Sequence, residues 1–234
     1  MIESRGVPTV TLGLVRAHLE ATAPPRALFV PFVLGRPLGE PEDAAFQSRV
    51  LRHALGLLER VDGPVILEDF AVDAPSHRKR PGWAPGIVLP GGIADAPGVA
   101  REIAALMPHW LRAVARFGRS TVGITPVAPA DMAGALAPYL AGGKVESPVA
   151  GLAPALALRF IADDLKAFYS EAAQEAGEQP GVGQVDRWFW SETLAGQFLV
   201  ALRRAGMANP DNAIRAFATR FLVPVPYLPE GEPR

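Results

Sequence analysis

The chain has 234 residues, of which 49% are hydrophobic and 20% charged, and its 23 basic and 24 acidic side chains leave a net charge of −1. Such a chain can bury one large core or two small ones, and with no basic excess nucleic acid is not an expected partner. Cysteine is absent, which excludes disulfides, thiolate metal sites, cysteine-ligated iron–sulfur clusters and a thiol nucleophile on this chain.

No uninterrupted apolar stretch in the sequence reaches the roughly 20 residues of a spanning helix. The opening MIESRGVPTV carries an early acid and no signal-type apolar segment, so a cytoplasmic protein without a membrane partner is expected. Residues 7–14, VPTVTLGL, are apolar and β-branched enough for a strand. Residues 15–22 allow a short helix that Pro24 and Pro25 stop. Residues 27–33 hold two valines and two phenylalanines, the pattern of a buried strand. Gly35, Pro37, Gly39 and Pro41 then punctuate a loop. Phe46, Val50, Leu51, Ala54, Leu57, Leu58 and Val61 recur at helical spacing, with Gln47, Arg49, Arg52, Glu59 and Arg60 on the other face. Gly63 and Pro64 open a further strand, VILEDF, which contains the acids Glu68 and Asp69. Residues 71–92 read as a long loop carrying the basic cluster His77, Arg78, Lys79 and Arg80, and the boundary between two regions, 1–92 and 93–234, falls there.

Beyond about residue 95 the apolar period changes from two to 3.6. Asp95 and Pro97 open a helix carrying Val99, Ile103, Leu106 and Met107, which Pro108 is expected to kink or restart. Residues 120–127 read as one more strand and 128–140 as an alanine-rich helix broken at Pro138. Residues 154–176 form a strong helix with Phe160, Ile161, Leu165, Phe168, Tyr169 and Ala172 on one stripe, stopped by Gly177. Residues 184–205 form another. Asn209, Pro210 and Asp211 supply a cap, a first-turn proline and a dipole-matched acid for a last helix through Leu222, followed by an extended tail. The fold class expected is α/β: a small, partial Rossmann-like sheet, open and mainly parallel, followed by a mainly helical part.

Two stretches could carry chemistry. A strand-to-helix junction is where open α/β sheets place ligands. In the loop after residue 33, Gly35 and Gly39 let backbone amides face a ligand, and Arg36 offers a planar fork for a carboxylate or phosphate. Arg26 lies at the other end of the strand. The plainer alternative is a simple turn with Arg36 paired to Glu40, Glu42 or Asp43. The second stretch is a pair of acids on apolar helix stripes. Asp164 is four residues from both Phe160 and Phe168, and Glu192 is four residues from Trp188 and from Gly196. As buried carboxylates they must be paired, hydrogen-bonded or protonated. An acid/base pair, or a metal site with His109, stands against a structural role as acceptors for the Trp188 or Trp190 indole or for an arginine. The other histidines have no mutual spacing, and no G-x-S-x-G, P-loop or G-x-G-x-x-G is present. No metal site, catalytic residue or cofactor is assigned.

GVPTV at 6–10, PPRALFVPFVLGRPLG at 24–39, the helix beginning DAAFQ, and GPVILEDF at 63–70 followed by Ala74 and Pro75 together resemble the C-terminal part of the selenoprotein B family. These are the substrate-binding, selenocysteine-containing subunits of the glycine, sarcosine, betaine and D-proline reductases. DDLKAFYSEAA and DRWFWSETLAG look similar to the helical end of some relatives in that family. The resemblance implies a small carboxylate-bearing substrate, of amino-acid or betaine type, near Arg36, and companion reductase subunits as partners. It also marks a departure. In the family the redox selenocysteine or cysteine lies upstream of the GIPTV-like strand, whereas here Met1 falls in the helix that leads into it, and no catalytic residue carries over. The chain is therefore expected to be a C-terminal fragment or stand-alone subunit that holds what another segment reduces. The alternatives are a non-catalytic anion-binding or assembly module and, third, a metal-dependent helical hydrolase at Asp164, Glu192 and His109. An uncovered strand at 7–14 would favour a homo-oligomer.

Overall fold

The computed structural model, which describes residues 2–75, 81–178 and 180–233, divides into the units Met1–Arg80 and Pro81–Arg234. The division lies upstream of residue 92 because the intervening stretch is tied to the helices. Gly86 N donates to Ala176 O at 2.7 Å and Trp83 Nε1 to Glu178 O at 2.7 Å. The basic cluster of Arg78, Lys79, Arg80 and His77 lies outside the described residues.

In the first unit the chain is mixed α/β. Strands β1 (Thr11–Gly13), β2 (Arg26–Phe29) and β3 (Ile66–Asp69) lie side by side in that order, all parallel, with Thr11 opposite Ala27 and Ala27 opposite Leu67. Side chains alternate between the two faces. Leu12, Leu28 and Val30 pack with Phe46, Val50 and Ala54 of α2 (Ala44–Gly56). Gly13 turns the other way, onto α1 (Arg16–Thr22), where an added Cβ would fall 2.5 Å from Leu19 Cδ1. The two helices thus cover opposite faces of the sheet.

Both outer ends of the expected strands are shorter than their apolar runs, for identifiable reasons. The Thr9 amide is drawn off the ladder by Glu3 Oε1 at 2.7 Å. Val30 N still donates to Gly13 O at 2.9 Å, but Pro31 has no N–H to continue. The α2 stripe is also narrower than its spacing implied. Phe46, Val50 and Ala54 are buried, whereas Leu51 and Val61 are exposed. The turn at Leu57–Glu59 is a 3₁₀ turn, which shifts the angular phase of everything after Gly56.

The second unit is helical: α3 (Ala96–Phe117), α4 (Met132–Leu136), α5 (Pro154–Glu175), α6 (Gln184–Glu192), α7 (Leu194–Met207) and α8 (Asn212–Phe221). α5 runs through the middle, against α3, α4, α6 and α8, and α7 packs on α3, α6 and α8. Pro108 does not restart α3. It sits on the exposed face, as does Ala104, so the carbonyl that loses its donor can turn to water. Residues 120–127 form no strand, because the amides of Thr121, Gly123, Ile124 and Thr125 are taken by acids on α5 and that of Val122 by the Ser120 hydroxyl. α8 is capped by Asp211, whose Oδ1 accepts from Ala213 N and Ile214 N at 2.7 and 3.3 Å. Asn209 is instead buried, donating to Gly143 O and accepting from Asp211 N.

α7 and α8 approach closely at Gly206, where a Cβ would stand 2.5 Å from Ala218 Cβ. Gly206→Val is expected to wedge the pair apart and cost about 1–3 kcal/mol, read as a lower urea midpoint with an unchanged slope; an unchanged midpoint would show that the contact is slack.

Candidate functional site

The loop joining β2 to α2 is held by its own backbone. Arg36 N donates to Val33 O and Gly39 N to Arg36 O, both at 2.9 Å. Gly35 and Gly39 have φ of 88° and 81°, the left-handed region that glycine enters without penalty. Gly39 is needed for packing as well: a Cβ there would lie 2.5 Å from the Phe46 ring. Glu42 is also left-handed, at φ 61°, which costs a residue with a side chain about 1–2 kcal/mol. The start of α2 is occupied by the chain itself, since Asp43 Oδ1 accepts from Phe46 N at 2.9 Å.

The three residues singled out in this loop therefore differ in what they offer. The Gly39 amide is committed within the loop, and Gly39 is buried. Gly35 is exposed, with open space beside it. Arg36 is exposed, and its guanidinium pairs with no described residue, so Glu40, Glu42 and Asp43 do not neutralise it. Arg26, at the amino end of β2, is engaged by Glu3 at 2.9 Å and by Arg60 O.

A second arginine at the carboxyl edge of the sheet was not singled out from sequence. Arg16 opens α1, just after β1, and its Nε reaches Asp69 at the end of β3 at 3.1 Å and 3.3 Å, with Glu20 as a further partner. The pair is solvent-exposed and of the kind worth about 0–1 kcal/mol. The only signal in the sequence was an arginine directly after a strand candidate. Behind this edge Glu68 accepts from His53 at 3.1 Å and from Arg60. The His53 bond and then Arg60 hold the Glu68 carboxyl below its usual range against the opposing effect of burial.

In the helical unit the expected acids separate. Asp164 is fully buried. Its acceptors are filled by Gly123 N, Ile124 N and Thr125 N at 2.8, 2.9 and 2.9 Å, and by Thr125 Oγ1 at 2.8 Å. No indole or arginine is involved. Glu192 is exposed, because the helix breaks one residue later. Thr193 leaves the helical region, accepts from Gly196 N and donates to Phe189 O at 2.7 Å. A Thr-x-x-Gly cap inside an apolar run was the overlooked signal.

The second buried acid is Glu102 of α3, which occupies a stripe position between Val99 and Leu106. It accepts from Leu194 N at 2.9 Å, Ala195 N at 3.1 Å and the Tyr169 hydroxyl at 2.9 Å. Burial pushes its carboxyl up, and those three donors only partly offset the effect. Burial, with Glu102 alongside, also pushes the Tyr169 phenol up. Glu171 accepts from Thr121 N and Oγ1, Ser120 Oγ and Trp110 Nε1 at 2.7–2.9 Å. Burial raises its carboxyl, but these donors outweigh burial and hold it low.

His109 stands apart, with Nδ1 2.8 Å from Arg112 Nη2; burial first, then Arg112, lower its affinity for a proton. Among the described residues no group of three His, Asp or Glu is arranged to hold a metal ion, so Asp164, Glu192 and His109 do not make the metal site weighed as the third alternative. No helix among the described residues is long and apolar enough to cross a membrane. Comparison with family models, curated proteins and solved structures finds no match to this chain.

Asp164→Ala strands three amides and is expected to cost about 2–4 kcal/mol, measured by urea unfolding; a loss below the experimental error would mean that water replaces the carboxylate. The titration of Glu102 has a definite sign. Its folded form binds the proton more tightly than the unfolded one, so its contribution falls as pH rises above the usual carboxylate value of 4.5. The stability of the parent minus that of Glu102→Gln should therefore shrink from acid to neutral pH. A difference that grows over the same range would contradict the assignment.

Proposed function

We propose that the first unit holds a small carboxylate-bearing ligand, of amino-acid or betaine type, at the loop after β2. In this reading it is the substrate-holding part of a reductase resembling the selenoprotein B family, built on a Rossmann-like sheet, and the redox selenium or sulfur comes from another segment or a companion subunit. The setting is cytoplasmic.

The observation that carries the reading is Arg36, an exposed guanidinium without an ion-pair partner among the described residues, on a loop whose backbone is already ordered. A bidentate, charge-assisted contact suits a carboxylate, and a pre-ordered loop spares part of the entropy cost of binding. The sheet supports the location. The connection after β1 goes to one face and the connection after β2 to the other, and a crevice opens at the carboxyl ends of parallel strands where neighbouring connections diverge. Arg16 lies at the same edge, tied to Asp69 by an exposed pair that a ligand carboxylate can compete with. The cysteine-free composition fits a part that positions rather than reduces.

A second reading, generic anion contact, is favoured by one specific feature. The Arg36 and Gly39 amides and the start of α2 are already satisfied, which leaves the guanidinium as the main attraction. Calorimetric titration with glycine, betaine, phosphate and chloride separates the two. The substrate reading expects glycine or betaine to bind selectively and Arg36→Ala to weaken that binding about tenfold or more. Equal weak heats for all four ligands would sink it and leave the anion-binding module.

A further inference from the structure

α7 carries an arginine that its own helical neighbours do not neutralise. Arg203 is fully buried, and its charge is met by a residue 29 positions later in the chain. Nη1 donates to the Glu232 carboxylate and Nη2 to the Pro233 carbonyl. The adjacent, exposed Arg204 donates through Nε to the other oxygen of Glu232 at 2.5 Å. Arg203 Nε is buried without an acceptor. One glutamate and the carbonyl after it are thus read by two consecutive arginines.

The rest of that segment is held in the same separable way. The Tyr227 ring stacks on Trp190 of α6, with centroids 5.9 Å apart and planes 20° from parallel. Prolines stand at 224, 226, 229 and 233. The backbone hydrogen bonds of residues 224–233 close within the segment: Tyr227 N to Pro224 O, Leu228 N to Val225 O and Glu232 N to Pro229 O. A proline-rich segment with a 3₁₀ turn at Val225–Tyr227, docked through Tyr227, Leu228, a carboxylate and one carbonyl with no backbone ladder to its support, is held by side-chain contacts of the kind that hold a peptide ligand.

We infer that Arg203, Arg204 and Trp190 form a binding site for an acidic, proline-rich peptide, with an aromatic residue five positions before a glutamate–proline pair, and that residues 224–233 fill this site in cis. A buried guanidinium left without its anion is strongly destabilising. The segment therefore leaves by exchange with another carboxylate-bearing peptide rather than by opening an empty site. The cis ligand competes at an effective concentration on the order of millimolar, which sets how strongly an outside peptide must bind.

The test uses the full chain and a labelled synthetic peptide of the sequence LVPVPYLPEGEP, residues 222–233. The parent chain should bind it weakly. Glu232→Ala, which removes the internal anion, should bind it at least about tenfold more tightly. A peptide with alanine in place of the second glutamate should not bind, and adding Arg204→Ala should weaken the interaction. If Glu232→Ala does not fold, Tyr227→Ala provides the check: it removes the half-buried aromatic anchor, leaves Arg203 paired, and should also bind more tightly than the parent. A folded variant that ignores the peptide, or binding that is indifferent to the peptide glutamate, would overturn the inference.

Discussion

The carboxyl group of Glu102 receives the Tyr169 hydroxyl and the amides of Leu194 and Ala195, so α3, α5 and α7 meet at a single buried acid. Burying a carboxylate is costly unless its lone pairs are filled. Here they are filled by donors that would themselves be orphans, since the first amides of α7 have no partner within that helix. The positive end of the α7 dipole adds to the attraction. The arrangement works only because the chain breaks at Thr193; a helix continuous through 184–205 would have no free amides to offer. The break and the acid are therefore mutually dependent, and the exposure of Glu192 follows from them.

Asp164 and Glu171, both on α5, use the same device on a different target. They take the amides of residues 121 and 123–125, a stretch that has no strand beside it to satisfy them. Acids here organise backbone that would otherwise have to be solvated. Arg203 is the counterpart of opposite sign. Its charge is met by a glutamate from a distant segment, while its Nε stays without an acceptor. The buried charges of this unit thus divide into acids that bind dipoles within the fold and an arginine that depends on a distant proline-rich segment.

The first unit is governed by a different constraint, the reach of three short parallel strands. Pro31 ends hydrogen bonding along β2, and the chain then turns through Gly35, which is open to solvent, and Gly39, which packs against the Phe32 and Phe46 rings. The hydrophobic contact that anchors α2 therefore also sets the loop that presents Arg36. Gly39 serves packing rather than ligand contact, whereas Arg36 has no structural task among the described residues. An exposed, unneutralised guanidinium beside the carboxyl edge of the sheet is the feature on which the functional proposal stands.

Much of this was legible in the residues. The strands, the helices at 16–22 and 154–175, the stop at Gly177 and the inward position of Asp164 follow from spacing and turn chemistry, because those signals are local. Val61 is exposed because the 3₁₀ turn at Leu57–Glu59 shifts the phase of the residues after it, whereas Leu51 lies before that turn, beside Val50, and the buried stripe of α2 is simply narrower than its apolar spacing. Residues 120–127 look like a strand because β-branched residues favour extended backbone, yet extended backbone becomes a strand only beside a partner. By itself the sequence determined that these 234 residues hold no thiol, the α/β-then-helical order and the position of the arginine loop. Tertiary structure alone decided which acids lie inside, that Glu102 caps α7, and that Arg203 meets Glu232. Those outcomes depend on which donors distant segments bring within hydrogen-bonding distance, and no periodicity along the chain encodes that.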